Sequence, residues 1–249
     1  METESATSIL VLEEVVAGYG GLTVLNGTSL QAARGAITTI IGPNGAGKST
    51  VFKTVFGLLP ARAGRVRFDG RDITNLGPRA LLELGISYVP QGRNIFPELS
   101  VRHNLEIGAT AAPRGTDVAA RVDAVMARFP MLRERAAAQA STLSGGQQKL
   151  LEIARALLLE PKLMLIDEPS IGLSPRLVQE TFAILHELRA RGMSILMVEQ
   201  NAKRALEISD FGVVLELGRV RMTGEARAIL ADPKVGQLFL GGGLATEAA

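Results

Sequence analysis

The sequence predicts an α/β fold organised on a mainly parallel sheet, and three observations carry that prediction. Short apolar, β-branched runs at Ala36–Ile41, Leu163–Ile166 and Ile195–Val198 are each followed by a stretch that reads as helix. The first run leads directly into Gly42–Thr50, GPNGAGKST, which matches the phosphate-binding loop pattern of Gly, four residues, then Gly-Lys-Ser/Thr. The second run ends in two carboxylates, Asp167 and Glu168, at the strand end where an open α/β sheet faces its ligand.

Each position of the loop has a chemical reason. It passes through Gly42, Pro43, Asn44, Gly45, Ala46 and Gly47 to Lys48, Ser49 and Thr50. The glycines let the backbone turn back on itself and bring N–H groups close to an anion. Lys48 can reach the β- and γ-phosphates of a nucleotide, and the Ser49 hydroxyl can ligate Mg²⁺. A helix predicted over Ser49–Leu58 adds the positive end of its dipole.

Composition narrows the classes. The chain has 249 residues, of which 47% are apolar, enough for one large domain or two small ones. A net charge of +2 does not mark a nucleic-acid surface. The absence of cysteine excludes disulfides, thiol catalysis and Cys-ligated metal, and two histidines do not make a multi-histidine zinc site. The opening METESATS lacks the basic flank and apolar core of a signal peptide, and no run approaches the roughly 18 apolar residues of a membrane span. A cytoplasmic protein is expected.

In chain order, Ser8–Glu14 reads as a first strand. Tyr19 follows between Gly18 and Gly20, either as a ring that stacks on adenine or as a partly buried loop tyrosine. Val24–Leu30 and Ala36–Ile41 are expected to pair across the turn Ala33-Arg34-Gly35. Gly64–Asp69 is a strand stopped by Asp69-Gly70, and a short helix at Pro78–Glu83 precedes the strand Ile86–Val89. Gln91 sits at that strand's end, as a solvated side chain or as a Mg²⁺ ligand through its amide oxygen.

Ser100–Arg135 contains no β-rich run and reads as a helical insert, with helices at Val101–Gly108 and Asp117–Phe129 broken at Pro130. Leu143, Ser144, Gly145, Gly146 and Gln147 then open a long helix whose Leu150, Ile153, Ala154, Leu157 and Leu158 form one apolar stripe. Ser144 suits the N-cap, and the two glycines expose N–H groups there, a second phosphate-binding surface. Asp167 can hold the hydration shell of Mg²⁺, and Glu168 can orient or deprotonate a water for in-line attack on a γ-phosphate. Pro175–Arg191 is a helix, Ile195–Val198 ends at Glu199-Gln200-Asn201, and a helix follows at Ala202–Ile208. A hairpin, Val213–Leu217 with Arg219–Thr223, turns at Gly218, and a short helix near Ala226–Leu230 closes the body.

Taken in order, these motifs resemble the ATP-binding subunits of ABC transporters. Tyr19, Gly42–Ser49, Gln91, Leu143–Gln147, Leu163–Glu168 and the strand-end loop at Gln200 lie in that family's order over about Ile9 to Leu240. The LSGGQ motif separates this family from phosphate-loop GTPases, kinases and helicases. The resemblance implies a P-loop NTPase core with a parallel sheet, an N-terminal antiparallel β region and a helical subdomain inserted at about residues 95–143. The whole forms one cassette over residues 8–240 with a loose tail at 241–249. It also implies ATP and Mg²⁺ as ligands, with Ser49, Gln91 and Asp167 at the metal. Two cassettes then meet head to tail, each site joining the phosphate loop, Asp167, Glu168 and Gln200 of one chain to Leu143–Gln147 of the other. A second ATPase subunit, two membrane permeases and, indirectly, a substrate-binding protein are the implied partners, placing the chain on the inner face of the cell membrane.

Within the family the sequence is most similar to the second ATPase of branched-chain amino-acid importers, through Ile171–Pro175 (IGLSP), Val198–Ala202 (VEQNA) and Phe239–Gly242 (FLGG). Closely similar ATPases serve urea and short-chain amide importers. Ser174 stands where the family usually carries Asp, and Gln200 where it usually carries His; both departures resemble the branched-chain subgroup. Glutamine can hydrogen-bond a γ-phosphate oxygen but cannot carry a positive charge to it.

Overall fold

The computed structural model describes residues 8–112 and 115–235. In chain order the strands are β1 (Ser8–Tyr19), β2 (Leu22–Ala33), β3 (Ile37–Ile41), β4 (Ala61–Phe68), β5 (Arg71–Asp72), β6 (Ile86–Val89), β7 (Leu163–Asp167), β8 (Ser194–Val198), β9 (Phe211–Glu216) and β10 (Arg219–Glu225). The α-helices are α1 (Lys48–Val55), α2 (Pro78–Leu84), α3 (Val101–Gly108), α4 (Val118–Arg128), α5 (Pro130–Glu134), α6 (Gly145–Leu157), α7 (Pro175–Ala190), α8 (Ala202–Glu207) and α9 (Ala226–Ala231). The tail expected at residues 241–249, and the Phe239–Gly242 segment, lie outside the described residues.

Two sheets organise the chain. A four-stranded sheet has the order β2-β1-β4-β5, and a six-stranded sheet has the order β10-β9-β3-β8-β7-β6. In the second sheet every neighbour from β9 to β6 is parallel, and only β10 runs antiparallel. All five residues of β3, β7 and β8 are buried. That is why these strands read as nearly continuous apolar, β-branched runs: a parallel sheet is covered on both faces.

Successive side chains supply two cores. Ile40, Leu163, Leu165, Leu196 and Val198 pack on the side of α1 and the antiparallel sheet. Ile37, Met164, Ile166, Ile195 and Met197 pack on the other side, with α6, α7 and the helical insert. The insert is therefore no separate body. Val101, Leu105, Val122 and Phe129 share a core with Leu151, Ile153 and Ala154 of α6 and with the sheet. Its ends are clasped by backbone hydrogen bonds, Val101 N–H to Ala138 O at 2.9 Å and Ala140 N–H to Leu99 O at 2.9 Å.

One expected pairing does not occur. β2 pairs with β1, while β3 pairs with β8 and β9 in the other sheet. The Ala33-Arg34-Gly35 turn hands the chain between sheets and does not close a hairpin. The Gly35 N–H donates to Ser194 Oγ at 2.9 Å, which fixes the turn against β8. β1 also runs on to Tyr19, past the end expected at Glu14. A bulge absorbs the break in alternation there, with Glu14 at φ 47°.

Candidate functional site

The phosphate loop leaves β3 and enters α1. Gly47, the N-cap of α1, has φ 101°, a conformation that only glycine adopts without strain. The loop is braced from an unexpected side. The tip of the β9–β10 hairpin donates its Gly218 N–H to Ala46 O at 2.9 Å, and Gly218 O accepts from Asn26 N–H at 2.9 Å and Thr28 Oγ1 at 2.7 Å. Lys48 lies buried in the loop and donates to Gly42 O at 2.7 Å and Pro43 O at 3.1 Å. Burial pulls its pKa down, opposed by the charges of Glu168 and Asp167.

Four other elements bring residues to this loop. Asp167, the last residue of β7, is 2% exposed and accepts from Ser49 Oγ at 3.4 Å and from the Tyr88 hydroxyl at 3.3 Å. Burial raises its pKa, and the Ser49 and Tyr88 hydrogen bonds oppose the rise. Glu168 follows with φ 48°. A non-glycine residue in that region is strained, and such strain gathers at working sites. Burial first, then the Asp167 charge, raises the Glu168 pKa, with Lys48 opposing. A carboxylate so placed is a better base than a solvated one. Gln91, beyond β6, donates its amide to Glu168 Oε2 at 2.8 Å.

Gln200 follows β8, is exposed, and lines with Glu168 a pocket of about 580 Å³. Tyr19 ends β1 at 44% exposure, with Lys53 Nζ 5.6 Å from its ring centroid. The ring is thus partly exposed beside α1, with the Lys53 ammonium over one face.

The Leu143–Gln147 motif forms a complete capping box. Ser144 Oγ accepts from Gln147 N–H at 3.4 Å, and Gln147 Oε1 accepts from Ser144 N–H at 2.9 Å. A Cβ on Gly146 would meet Leu177 Cδ2 at 2.6 Å, so glycine there lets α6 approach α7. Among the described residues no hydrogen bond or ion pair joins this motif to the phosphate loop of its own chain.

Two residues of the site were not read from the sequence. Tyr88 holds Asp167 from β6, packed edge-on to Phe52 at 5.9 Å between ring centroids. Glu199, 1% exposed, accepts from Ser170 N–H at 2.8 Å and Gln200 N–H at 3.1 Å, tying the loop after β7 to the loop after β8. Burial raises its pKa. Glu199 carried a usable signal, since it ends an apolar strand just as Asp167 does. Tyr88 carried none, because its partner lies 79 residues away.

A phosphate loop at the end of parallel strand β3, with two carboxylates at the end of β7, the next strand but one, defines a phosphate-loop nucleoside triphosphatase. The comparisons with known proteins give the particular family. The ABC transporter family model matches residues 25–171. The high-affinity branched-chain amino acid transport ATP-binding protein BraG of Pseudomonas aeruginosa is 40% identical over 94% of this chain and 100% of its own length. The probable branched-chain amino acid transport ATP-binding protein LivF of Archaeoglobus fulgidus is 40% identical over 90% of this chain and 95% of its own. Among solved structures, MJ1267, an ATP-binding cassette of an ABC transporter, superposes with a TM-score of 0.85 at 34% identity, over 94% of this chain and 99% of that one. The chain belongs to the ABC transporter family and is an ATPase subunit of that type.

Proposed function

We propose that this ATPase powers import of branched-chain or related amino acids through separate membrane permease subunits. The cargo reading rests on BraG and LivF, similar over nearly their whole lengths. The observation that carries the chemistry is the convergence on Glu168: a buried, strained carboxylate beside Asp167 and Lys48, held by Gln91. Lys48 and the loop N–H groups bind the β- and γ-phosphates. Ser49, Asp167 and Gln91 present oxygens, the donor type that suits Mg²⁺, which when bound neutralises charge on the phosphates. Glu168 receives a proton from the attacking water. Measuring ATP hydrolysis by the purified chain and by the Glu168→Gln variant tests this assignment.

Gln200 serves as a neutral hydrogen-bond donor to the γ-phosphate. Such a bond is worth about 1 kcal/mol, and more on developing charge, so Gln200→Ala slows single-turnover hydrolysis roughly tenfold with ADP binding unchanged. Gln200→His retains activity and gains a pH dependence between about pH 6 and 8, where imidazole titrates. An unchanged Gln200→Ala rate, measured with any second site disabled, removes the sensor role.

Leu143–Gln147 works on the nucleotide of a second cassette that meets this one head to tail. A capped helix N-terminus that opens on two glycines, half-buried Gly145 and buried Gly146, suits an anion, and among the described residues none of its hydrogen bonds goes to the phosphate loop of its own chain. The cassette is a single unit, with the helical insert facing the permeases at the inner face of the membrane. No helix among the described residues is long and apolar enough to cross the membrane itself. A groove of about 210 Å³ between the Gln91 loop, α3 and α6 supports that docking face. Charge reversal at exposed Arg128 or Arg133 is expected to weaken transport and spare basal ATP hydrolysis. Permease cross-links confined to Val213–Thr223 contradict this placement.

A further inference from the structure

α6 carries a charge pair that the site described above does not use. Lys149 and Glu152 have side chains 5% and 2% exposed, with Nζ 2.5 Å from Oε2. Mutual attraction alone rarely offsets the desolvation of two ions, so such pairs are held by further hydrogen bonds. Here the further bonds go to one segment, the loop after β6. Glu152 Oε1 accepts from Asn94 N–H at 2.5 Å, and Lys149 Nζ donates to Gly92 O at 3.2 Å. Arg155, on the same helix, donates to Asn94 O. Asn94 Nδ2 donates back to Gln91 O at 3.2 Å and Pro90 O at 3.4 Å. Gln91 in turn donates to Glu168 Oε2 at 2.8 Å.

We propose that Lys149, Glu152 and Arg155 are positioning residues for Gln91, gripping its loop from the helix that begins with Leu143–Gln147. This rests on the placement of Gln91 and Glu168 in the ATPase centre. A capped α-helix of 13 residues moves as a rigid rod, and three charged side chains fasten the Gly92–Asn94 backbone to it. Displacing the helix when its N-terminus meets a nucleotide on another cassette therefore drags the Gln91 loop and changes the Gln91–Glu168 contact in its own chain. Glu152 and Arg155 also line the groove beside this loop. A permease segment seated there touches the same grip.

The test is a double-mutant cycle on steady-state ATP hydrolysis by the full-length chain. Lys149→Met/Glu152→Leu replaces the pair with apolar side chains of similar volume, so neither member of the pair is left buried without the other, a change that folded proteins commonly tolerate. Turnover is expected to fall about tenfold, with KM for ATP within about twofold, because the phosphate loop is untouched. In a Gln91→Ala background the same pair change is expected to cost less than about twofold, since the residue it acts through is gone. Equal losses in the two backgrounds, or no loss with Gln91 intact, overturn the positioning role. If Gln91→Ala alone leaves turnover unchanged, the assignment of Gln91 fails first and the positioning role falls with it. Should the double replacement fail to fold, Arg155→Lys, which keeps the charge but shortens the reach to Asn94 O, runs through the same two backgrounds under the same criteria.

Discussion

Glu168→Gln is expected to bind ATP like the native chain and to hydrolyse it slower by roughly two orders of magnitude or more, the range typical of removing a general base. The substitution keeps the shape and an amide oxygen for the Gln91 contact, so the strand end and its φ of 48° are retained. What it removes is the ability to take a proton from water. Burial and the neighbouring Asp167 already raise the Glu168 pKa, which makes the carboxylate a stronger base than a solvated glutamate. Because chemistry stops and binding does not, the variant should accumulate with ATP as a dimer of cassettes. Light scattering with and without ATP measures that, and rapid quench measures the turnover. Native turnover in this variant contradicts the role given to Glu168.

Lys48→Ala is expected to lose most ATP affinity. Lys48 is a point charge against the β- and γ-phosphates, and each charge-assisted hydrogen bond is worth about 1.5–3 kcal/mol, or roughly 10- to 100-fold in Kd. Its ammonium now donates to Gly42 O and Pro43 O. Removing it thus leaves two loop carbonyls without that donor as well as the phosphates without their cation. A calorimetric Kd within about twofold of the native chain is the contrary result.

The parts of this fold that a sequence shows are those with a one-dimensional signature. β3, β7 and β8 are buried on both faces, and burial writes itself as a nearly continuous apolar, β-branched run. The phosphate loop and the capping box at Ser144 are contiguous, so their chemistry sits in adjacent letters. The pairing of β2 is different in kind. A three-residue turn signals a reversal, and nothing local records that Gly35 is tied to Ser194 of another sheet. The full length of β1 is hidden for a related reason: the polar pair Glu13-Glu14 breaks the alternation, and a bulge restores it in space.

The site divides the same way. Gly42–Thr50, Asp167 and Glu168 are singled out by strand ends and motif spacing, whereas Gln91 and Gln200 are singled out by the family resemblance. Tyr88 on Asp167 is a contact across sheet strands with no mark in the sequence. Lys149 and Glu152 were hidden by their charge, since charged residues on a helix normally face water. They are buried because the loop after β6 supplies the partners that water otherwise would.

We propose that ATP binds with its adenine on the Tyr19 ring, its phosphates in the Gly42–Thr50 loop and its γ-phosphate toward Glu168. The most direct test is photolabelling of the full-length chain with 8-azido-ATP and Mg²⁺, with the labelled peptide mapped by mass spectrometry. The expected label falls on the segment around Tyr19, is abolished by excess ATP, and is lost in Lys48→Ala. Equal labelling of native and Lys48→Ala chains, or a label mapped to the groove between α7 and α8 at Phe182 and His186, contradicts the placement of the nucleotide.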